Sequence, residues 1–322
     1  MSFSSKVKDE LCGIVPTARH CELAELAALL SACATITVGG DGGHRIRVTT
    51  EKANALSVCQ KLIFKIYGYT SEVTVRYNSD THNRIYHLSV MDSDIALKIL
   101  LGTRLMDVDG SINRDMALVS TVGINNSCCR RAFLRGAFIA GGSVSDPEKG
   151  YHLEIVASGK NKAMQIVDAM KTFELDARIV LRRKSFVAYL KEGEQIVDML
   201  NVMGAHKSLM DFENVRVVKE VRNSVNRKFN CEMANINKTV TAAVKQMEDI
   251  NYIKDTVGLE TLDEGLEEIA RLRLDNPDLP LKDLGELLST PVGKSGVNHR
   301  LRRISRMAED LRQAKNPGGM RK

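Results

Sequence analysis

Polar and basic side chains suited to binding bases and phosphates recur on one side of a predicted helix that begins near Lys294 or Ser295. The other side of this helix is a continuous apolar stripe, formed by Val297, Leu301, Ile304, Ala308 and Leu311. Arginine donates paired hydrogen bonds to guanine, and asparagine pairs with adenine. The major groove of DNA admits a helix of this kind. The candidate DNA-binding residues are Lys294, Ser295, Asn298, His299, Arg300, Arg302, Arg303 and Arg306.

Position along the helix predicts two roles within this set. The residues from Lys294 to His299 are expected nearest the base edges. Arg302, Arg303 and Arg306 are expected to bind phosphate. The alternative is a basic helix that is only solvated, or that binds RNA. No aromatic residue occurs between Lys254 and Lys322, which argues against base stacking on a single strand.

The positive charge of the chain is concentrated at its C-terminal end. Residues 291–322 carry nine Lys or Arg and two acids, a net charge of +7, whereas the other 290 residues sum to −1. This asymmetry predicts a polyanionic partner for the C-terminal region. Double-stranded DNA, in promoter regions, is the partner we expect.

Composition argues against a membrane protein, a secreted protein and a metalloprotein. No apolar run reaches the roughly 18 residues that a membrane span needs, and the N-terminus lacks the apolar stretch of a signal peptide. The seven cysteines form no Cys-x-x-Cys pair, which argues against a zinc site and a disulfide framework. We therefore predict a cytoplasmic, nucleoid-associated protein without metal or cofactor.

The N-terminal two thirds of the chain read as a duplication. The first half is predicted as a helix at about 22–34, a β segment including 44–50, a helix at about 51–67, strands at 72–77 and 84–90, joined by a turn at 78–80, and a helix at about 93–104. The second half gives a helix at about 127–141, a strand at 151–157, a helix at about 160–173, strands at 177–182 and 185–190, and a helix at about 194–203. Each half thus has the order α-β-β-α-β-β-α, in an α+β domain.

The first helix of each half carries a related motif, 108 residues apart. The two copies are Leu26-Ala-Ala-Leu-Leu-Ser-Ala-Cys-Ala-Thr-Ile36 and Leu134-Arg-Gly-Ala-Phe-Ile-Ala-Gly-Gly-Ser-Val144. Both resemble the LAGLIDADG signature of homing endonucleases, in which an acid at the motif end holds a catalytic metal. The resemblance places Cys33 and Gly141 at the two acid positions. Neither can supply the hard oxygen ligand that magnesium requires, so we predict no catalytic residue.

The same resemblance implies close helix packing and a saddle of two sheets. Small side chains should face each other where the helices cross: Ala27, Ala28, Ser31, Ala32, Gly136, Ala137 and Ala140. Leu29, Leu30, Phe138 and Ile139 should enter the core. Basic strand residues are candidate phosphate contacts, and the alternative for them is a solvated surface: Arg45, Arg47, Arg178, Arg182, Arg183 and Lys184.

The C-terminal region is predicted to be helical, with helices at about 231–252 and 264–274, a short one after Pro280, and the basic helix. It resembles the helix-turn-helix of sigma-factor-like regulators. Leu284-Gly285 stands where Leu-Ala is usual, and Val292-Gly-Lys-Ser-Gly-Val297 where Val-Ser-Lys-Ser-Thr-Val is usual. Two departures are a turn about two residues longer than the commonest form and Gly293 in place of a capping serine.

Taken together, the two regions resemble the WhiA family of bacterial cell-division and sporulation regulators. Matching stretches include Ser2-Phe-Ser-Ser-Lys-Val-Lys-Asp-Glu-Leu11 and Asn230-Cys-Glu-Met-Ala-Asn-Ile-Asn-Lys-Thr-Val240. The domains expected are a degenerate LAGLIDADG-like domain at 1–205 (halves about 20–105 and 126–205), a helical linker at 206–258, a helix-turn-helix domain at 259–315 and a basic tail at 316–322.

The resemblance implies a role in transcription, cell division, chromosome segregation or sporulation. Our first hypothesis is a sequence-specific regulator that binds double-stranded DNA and is not an enzyme. A second is an adaptor whose N-terminal fold binds a sigma subunit of RNA polymerase or a co-regulator. A third, remote hypothesis is a residual metal-dependent nuclease that uses Asp41 or Asp146.

Overall fold

The computed structural model describes residues 2–40, 42–78, 83–112 and 124–315. The chain divides into two compact units, residues 1–220 and 221–322. Unit 1 begins with helix α1 (Phe3–Cys12), whose first turn is capped by Ser2: its hydroxyl oxygen accepts from the Ser5 amide at 3.2 Å. Helix α1 was not predicted.

The duplication in unit 1 has the predicted order of elements. The first half contains α2 (Arg19–Cys33), β1 (Ala34–Val38), β2 (His44–Thr50), α3 (Ala53–Tyr67), β3 (Glu72–Asn78), β4 (Asn83–Val90) and α4 (Ser93–Gly102). The second half contains α5 (Ser127–Gly141), β5 (Gly142–Val144), β6 (Leu153–Ala157), α6 (Lys160–Lys171), β7 (Arg178–Arg182), β8 (Ser185–Leu190) and α7 (Gly193–Met203). The α+β class and the predicted strands are confirmed, and β5 is a strand that was not predicted. The predicted turn after β3 extends beyond the described residues.

Each half forms an antiparallel four-stranded sheet, in the orders β1-β2-β4-β3 and β5-β6-β8-β7. The alternation of a strand sets its two faces. In β2, Ile46 and Val48 are buried in the core while Arg45 and Arg47 lie on the other face. In β7, Arg178 and Arg182 share a face with Val180, and the whole strand is exposed at a sheet edge.

The helices α2 and α5, termed the motif helices, pack against each other at the centre of unit 1. A methyl group at Gly136 would lie 2.6 Å from the Glu25 carbonyl oxygen and 3.1 Å from the Ala28 Cβ, so only glycine permits this approach. Leu29, Leu30, Phe138 and Ile139 are buried, as predicted. Ala32 is exposed and lines a cavity together with Phe133 and Ala137 of α5.

A buried ion pair joins the motif helices. The Arg135 guanidinium donates to Glu25 Oε2 from Nη2 at 2.7 Å and from Nε at 3.1 Å, and its Nη1 donates to the Met203 carbonyl oxygen at 3.2 Å. Both side chains are at least nine-tenths buried. In a low-dielectric interior each charge depends on the other for compensation.

Helix α8 (His206–Thr256) is far longer than the helix predicted at 231–252. It carries exposed apolar side chains that recur at helical spacing along one face: Val221, Val225, Phe229, Met233, Ile236, Val240 and Val244. The apolar spacing thus correctly predicted a helix. Most of the side chains in this stripe are exposed and are not covered by other described elements.

Unit 2 continues with a single 3-10 turn (Leu259–Thr261), α9 (Glu264–Asp275), α10 (Leu281–Glu286) and α11 (Lys294–Lys315). These helices share a small apolar core with the end of α8: Ile250, Ile253, Leu266, Ile269, Leu284, Val297, Leu301 and Ile304. Among the described residues, no helix combines the length and apolar character needed to cross a bilayer.

Candidate nucleic-acid interface

Helix α11 is held by one side only. Val297, Leu301, Ile304 and Ala308 are almost fully buried against α9 and α10, which confirms the predicted apolar stripe. Lys294, Ser295, His299, Arg302 and Arg306 are exposed on the other side, and Asn298 is half-buried. The helix thus presents a polar and basic surface on a rigid apolar base.

The connection before α11 is fixed by a close backbone approach. The Val292 amide donates to the Gly285 carbonyl oxygen at 3.1 Å. A side chain at Gly285 would overlap the Val292 carbonyl oxygen, and it would press on Val297. Glycine at this position is therefore a steric requirement of the long turn, which folds back over α10.

Buried Arg273 holds the turn between α9 and α10. Its Nη1 donates to the carbonyl oxygens of Leu279 at 2.9 Å and Pro277 at 3.3 Å. Burial lowers the pKa of this guanidinium, although it stays charged at neutral pH. Arg273 was not among the predicted site residues, because nothing in local spacing distinguishes it from a solvated arginine.

Two predicted DNA-binding arginines have partners inside unit 2. Arg300 is half-buried, and its Nη1 lies 3.4 Å from the Gly265 carbonyl oxygen of α9. Arg303 Nη2 lies 2.8 Å from an Asp263 carboxylate oxygen, in a pair whose side chains are both exposed. Such a surface pair is weak and can exchange for a phosphate. In the described part of the chain, no ion pair involves Arg302 or Arg306.

The motif helices end in a thiol and a glycine instead of acids, and the ammonium of Lys162 from α6 lies near the end of α2. A methyl group at Gly141 would lie 2.7 Å from the Val156 carbonyl oxygen, so a carboxylate side chain has no room there. Cys33 is half-buried, and burial raises the pKa of its thiol. Lys162 is buried and donates to the Ser31 carbonyl oxygen at 2.5 Å, near the end of α2. A fixed ammonium at this place opposes a divalent cation electrostatically.

The candidate phosphate contacts on the strands differ in their surroundings. Arg178 pairs with Asp176 at 3.3 Å, and Arg182 pairs with Glu154 at 2.9 Å. Arg183 has a left-handed backbone (φ 57°) in the turn between β7 and β8, where Lys184 is also exposed. In the first half, Arg47 is exposed and Arg45 is half-buried.

Asp146, one of the two acids of the nuclease hypothesis, lies in a turn. Asp146 Oδ1 accepts from the Glu148 amide at 3.0 Å, and the Asp146 carbonyl oxygen accepts from the Lys149 amide at 2.9 Å. These are the bonds of an ordinary turn. Asp41 lies outside the described residues.

A cluster of His20, Cys21, Cys128 and Cys129 was missed by the sequence analysis. Their ligand atoms all lie within 4.8 Å of one another. Burial, together with the neighbouring Cys128 thiol, raises the pKa of Cys21 to about 12. Linear spacing could not reveal the cluster, because its members come from both halves. The signal that could have done so is the 108-residue offset, which relates His20 to Cys128 and Cys21 to Cys129.

Comparison with known proteins agrees with this architecture. The chain matches the family models described as the WhiA N-terminal LAGLIDADG-like domain at residues 19–106, the WhiA LAGLIDADG-like domain at 130–222 and the WhiA C-terminal HTH domain at 225–308. Its class is thus a duplicated LAGLIDADG-like domain followed by a helix-turn-helix domain. The chain belongs to the WhiA family.

Relatives match over the full length. The protein named "Probable cell division protein WhiA" from Lachnoclostridium phytofermentans is 47% identical over 313 residues, 97% of this chain and 100% of that protein. The protein of the same name from Alkaliphilus oremlandii is 47% identical over 322 residues, 98% and 99% of the two chains. The crystal structure of full-length WhiA from Thermatoga maritima is similar with a TM-score of 0.59, at 25% identity over 96% and 99% of the two chains.

Proposed function

We propose that this chain is a sequence-specific regulator that binds double-stranded DNA with α11 and acts in transcription linked to cell division. One observation carries the proposal: α11 buries an apolar face and exposes a polar and basic one. That arrangement is what a recognition helix needs, because the scaffold holds one side while the other enters the major groove. Association with the nucleoid follows from the same activity.

Two groups of side chains on α11 have different roles in binding DNA. Lys294, Ser295, Asn298 and His299 lie in its first two turns and supply donors and acceptors for base edges. Arg302 and Arg306, one turn apart and exposed further along, bind phosphate and set the register of the helix on DNA. Arg303 joins them once its pair with Asp263 opens.

Electrostatic attraction to the phosphate backbone supplies much of the affinity. We expect the double variant Arg302→Ala/Arg306→Ala to weaken binding to all DNA sequences, and to reduce the slope of log K against log salt by about two. Fluorescence anisotropy with a labelled promoter fragment measures both effects. Arg271→Ala is the matched control, since Arg271 is an exposed arginine of α9 that pairs with Glu267. Equal losses in the control and the double variant would contradict the proposal.

Base recognition has a separate signature. Replacing Asn298 or His299 by alanine should relax the preferred sequence, at a cost of about 1–3 kcal/mol of discrimination at the contacted base pair. Selection of bound fragments from a random duplex library compares the variants with the unaltered chain. An unchanged motif in both variants would assign base reading to another surface.

We also propose that the LAGLIDADG-like domain has no nuclease activity. The observations that support this are the steric block at Gly141, the thiol at Cys33 and the ammonium of Lys162 beside the end of α2. Incubation of supercoiled plasmid with the full chain and magnesium should leave the plasmid intact. Cleavage that an Asp146→Ala variant loses would overturn this part.

A second candidate function, protein adaptor, is favoured by the sheet edges of unit 1. The edge strand β3 exposes Val73, Val75 and Tyr77, and the edge strand β7 exposes Leu181. Arg182 pairs with the mostly buried carboxylate of Glu154, which weakens its attraction for phosphate. A sigma subunit or co-regulator is the partner class for this surface. Retention of a protein partner by the full-length Arg302→Ala/Arg306→Ala variant would separate the adaptor role from DNA binding.

A further inference from the structure

Four side chains with metal-binding atoms meet where the N-termini of the motif helices lie side by side. His20 and Cys21 are the second and third residues of α2, and Cys128 and Cys129 are the second and third residues of α5. The two dipeptides therefore occupy equivalent positions in the two halves. The duplication brings two potential ligands from each half to one place.

The distances fit a single tetrahedral ion. His20 Nδ1 lies 3.1 Å from Cys129 Sγ, 3.3 Å from Cys21 Sγ and 3.9 Å from Cys128 Sγ. Around zinc, with Zn–S of about 2.3 Å and Zn–N of about 2.0–2.1 Å, ligand atoms lie roughly 3.5–3.8 Å apart. All four atoms here are within 4.8 Å of one another, so small side-chain rotations bring them to one centre.

We propose that His20, Cys21, Cys128 and Cys129 form a structural zinc site that clamps the two halves of the LAGLIDADG-like domain together. Thiolate and imidazole ligands in a tetrahedral set select zinc over magnesium or calcium, which prefer oxygen. Four protein ligands leave no open coordination position, which is the pattern of a structural and not a catalytic ion. The prediction of no metal relied on linear spacing, which does not detect ligands that two separate helices bring together.

The surroundings of the cluster suit a bound cation with thiolate ligands. Cys21 and Cys129 are buried, whereas His20 and Cys128 are exposed, so the site has a fixed inner side and an open outer side for metal entry. All four residues lie in the first turns of α2 and α5, where the helix dipoles offset part of the effect of burial on the thiols. When zinc binds, it displaces the thiol protons and links α2 directly to α5.

Metal analysis of the full chain tests the site. Protein purified without a histidine tag and without chelator should contain about one zinc ion per chain. In Cys128→Ser and His20→Gln variants, both altered at exposed ligands, zinc content should fall below about a tenth of that value. Cys231→Ser is the matched control because Cys231 is an exposed cysteine on α8, and it should retain the zinc.

Cobalt substitution identifies the ligands independently of the zinc content. Chain loaded with Co²⁺ should show the visible bands of a tetrahedral ion and thiolate-to-cobalt charge transfer. Both should weaken in Cys128→Ser and persist in Cys231→Ser. A zinc chelator should lower the melting temperature of the unaltered chain and have little effect on the two ligand variants, whose folding circular dichroism verifies.

Any of the following results would overturn the proposal. The first is an unaltered chain that contains no zinc and takes up no cobalt. The second is zinc that survives in both ligand variants. The third is iron with inorganic sulfide, or a disulfide between Cys21 and a cysteine of α5, in place of the zinc ion.

Discussion

Replacing a single charged residue in the interior of unit 1 should strongly affect stability, because little water is available there to solvate an unpaired charge. Glu25 and Arg135 compensate each other at 2.7 Å, and the second carboxylate oxygen of Glu25 has no hydrogen-bond partner among the described residues. Removing one member of such a pair leaves an isolated buried charge. The pair therefore makes the packing of the motif helices sensitive to one substitution.

We expect Arg135→Met to lower the free energy of unfolding of unit 1 by about 3–5 kcal/mol. The chain has no tryptophan, so urea unfolding followed by circular dichroism is the measurement. Arg131→Met, on the exposed side of the same helix, is the control and should cost less than about 1 kcal/mol. A loss for Arg135→Met no larger than that of the control would show that the pair is not structurally important.

We expect the stability of unit 1 to depend on pH because of Lys8. Burial, followed by the neighbouring Lys52, lowers the pKa of Lys8 to about 7, well below the 10.5 of a free lysine. Between these two pKa values the unfolded chain binds more protons than the folded chain, so the free energy of unfolding rises with pH. Below about pH 7 Lys8 is charged in both states, and its burial then destabilises the folded chain by the full amount. The opposing thiol of Cys12, whose pKa burial raises to about 11, matters only at higher pH.

The melting temperature of the full chain should therefore rise between about pH 7 and 9, above which Cys12 opposes the rise. Lys8→Met should melt higher at the acidic end and should lose this rise. Lys6→Met, at an exposed lysine of the same helix, should keep it. Parallel profiles for the Lys8 and Lys6 variants would assign the pH dependence to other groups.

At the scale of elements, sequence periodicity was reliable where helices and strands bury one face. It located α5, β2 and β8 with the bounds that the structure has. Periodicity did not predict β5 or α1. Three strand residues are too few to show an alternation, and the N-cap of α1 was the main signal for that helix. The metal-ligand cluster escaped for another reason: it exists only after two helices from separate halves cross.

The close backbone approach in the turn before α11 should contribute to the stability of unit 2. We expect Gly285→Ala to lower the free energy of unfolding of unit 2 by about 1–3 kcal/mol, because the added methyl group meets a backbone carbonyl that cannot move freely. Gly293→Ser is the control, since a methyl group there meets nothing within 4 Å and a hydroxyl can cap α11. Thermal unfolding monitors both variants. If they are equally stable, the close approach of Gly285 to Val292 does not constrain the turn.

At the scale of the whole molecule, the two units keep separate apolar cores. Substitutions in separate cores share no contacts, and their effects on stability should add. We expect the Arg135→Met/Gly285→Ala double variant to lose the sum of the single losses within about 0.5 kcal/mol. Calorimetry of the four chains measures this. A larger departure would reveal coupling between the units.

The Glu25–Arg135 pair also distinguishes the two halves of the duplication, because equivalent positions carry different residues. By the 108-residue offset, the counterpart of Glu25 in the second half is Phe133, and the counterpart of Arg135 in the first half is Ala27. Two copies of the first half would bury two carboxylates with no cation, and two copies of the second half would bury two guanidinium groups with no anion. A symmetric dimer of either half would therefore carry an uncompensated cost of burial that the unlike pair of halves avoids.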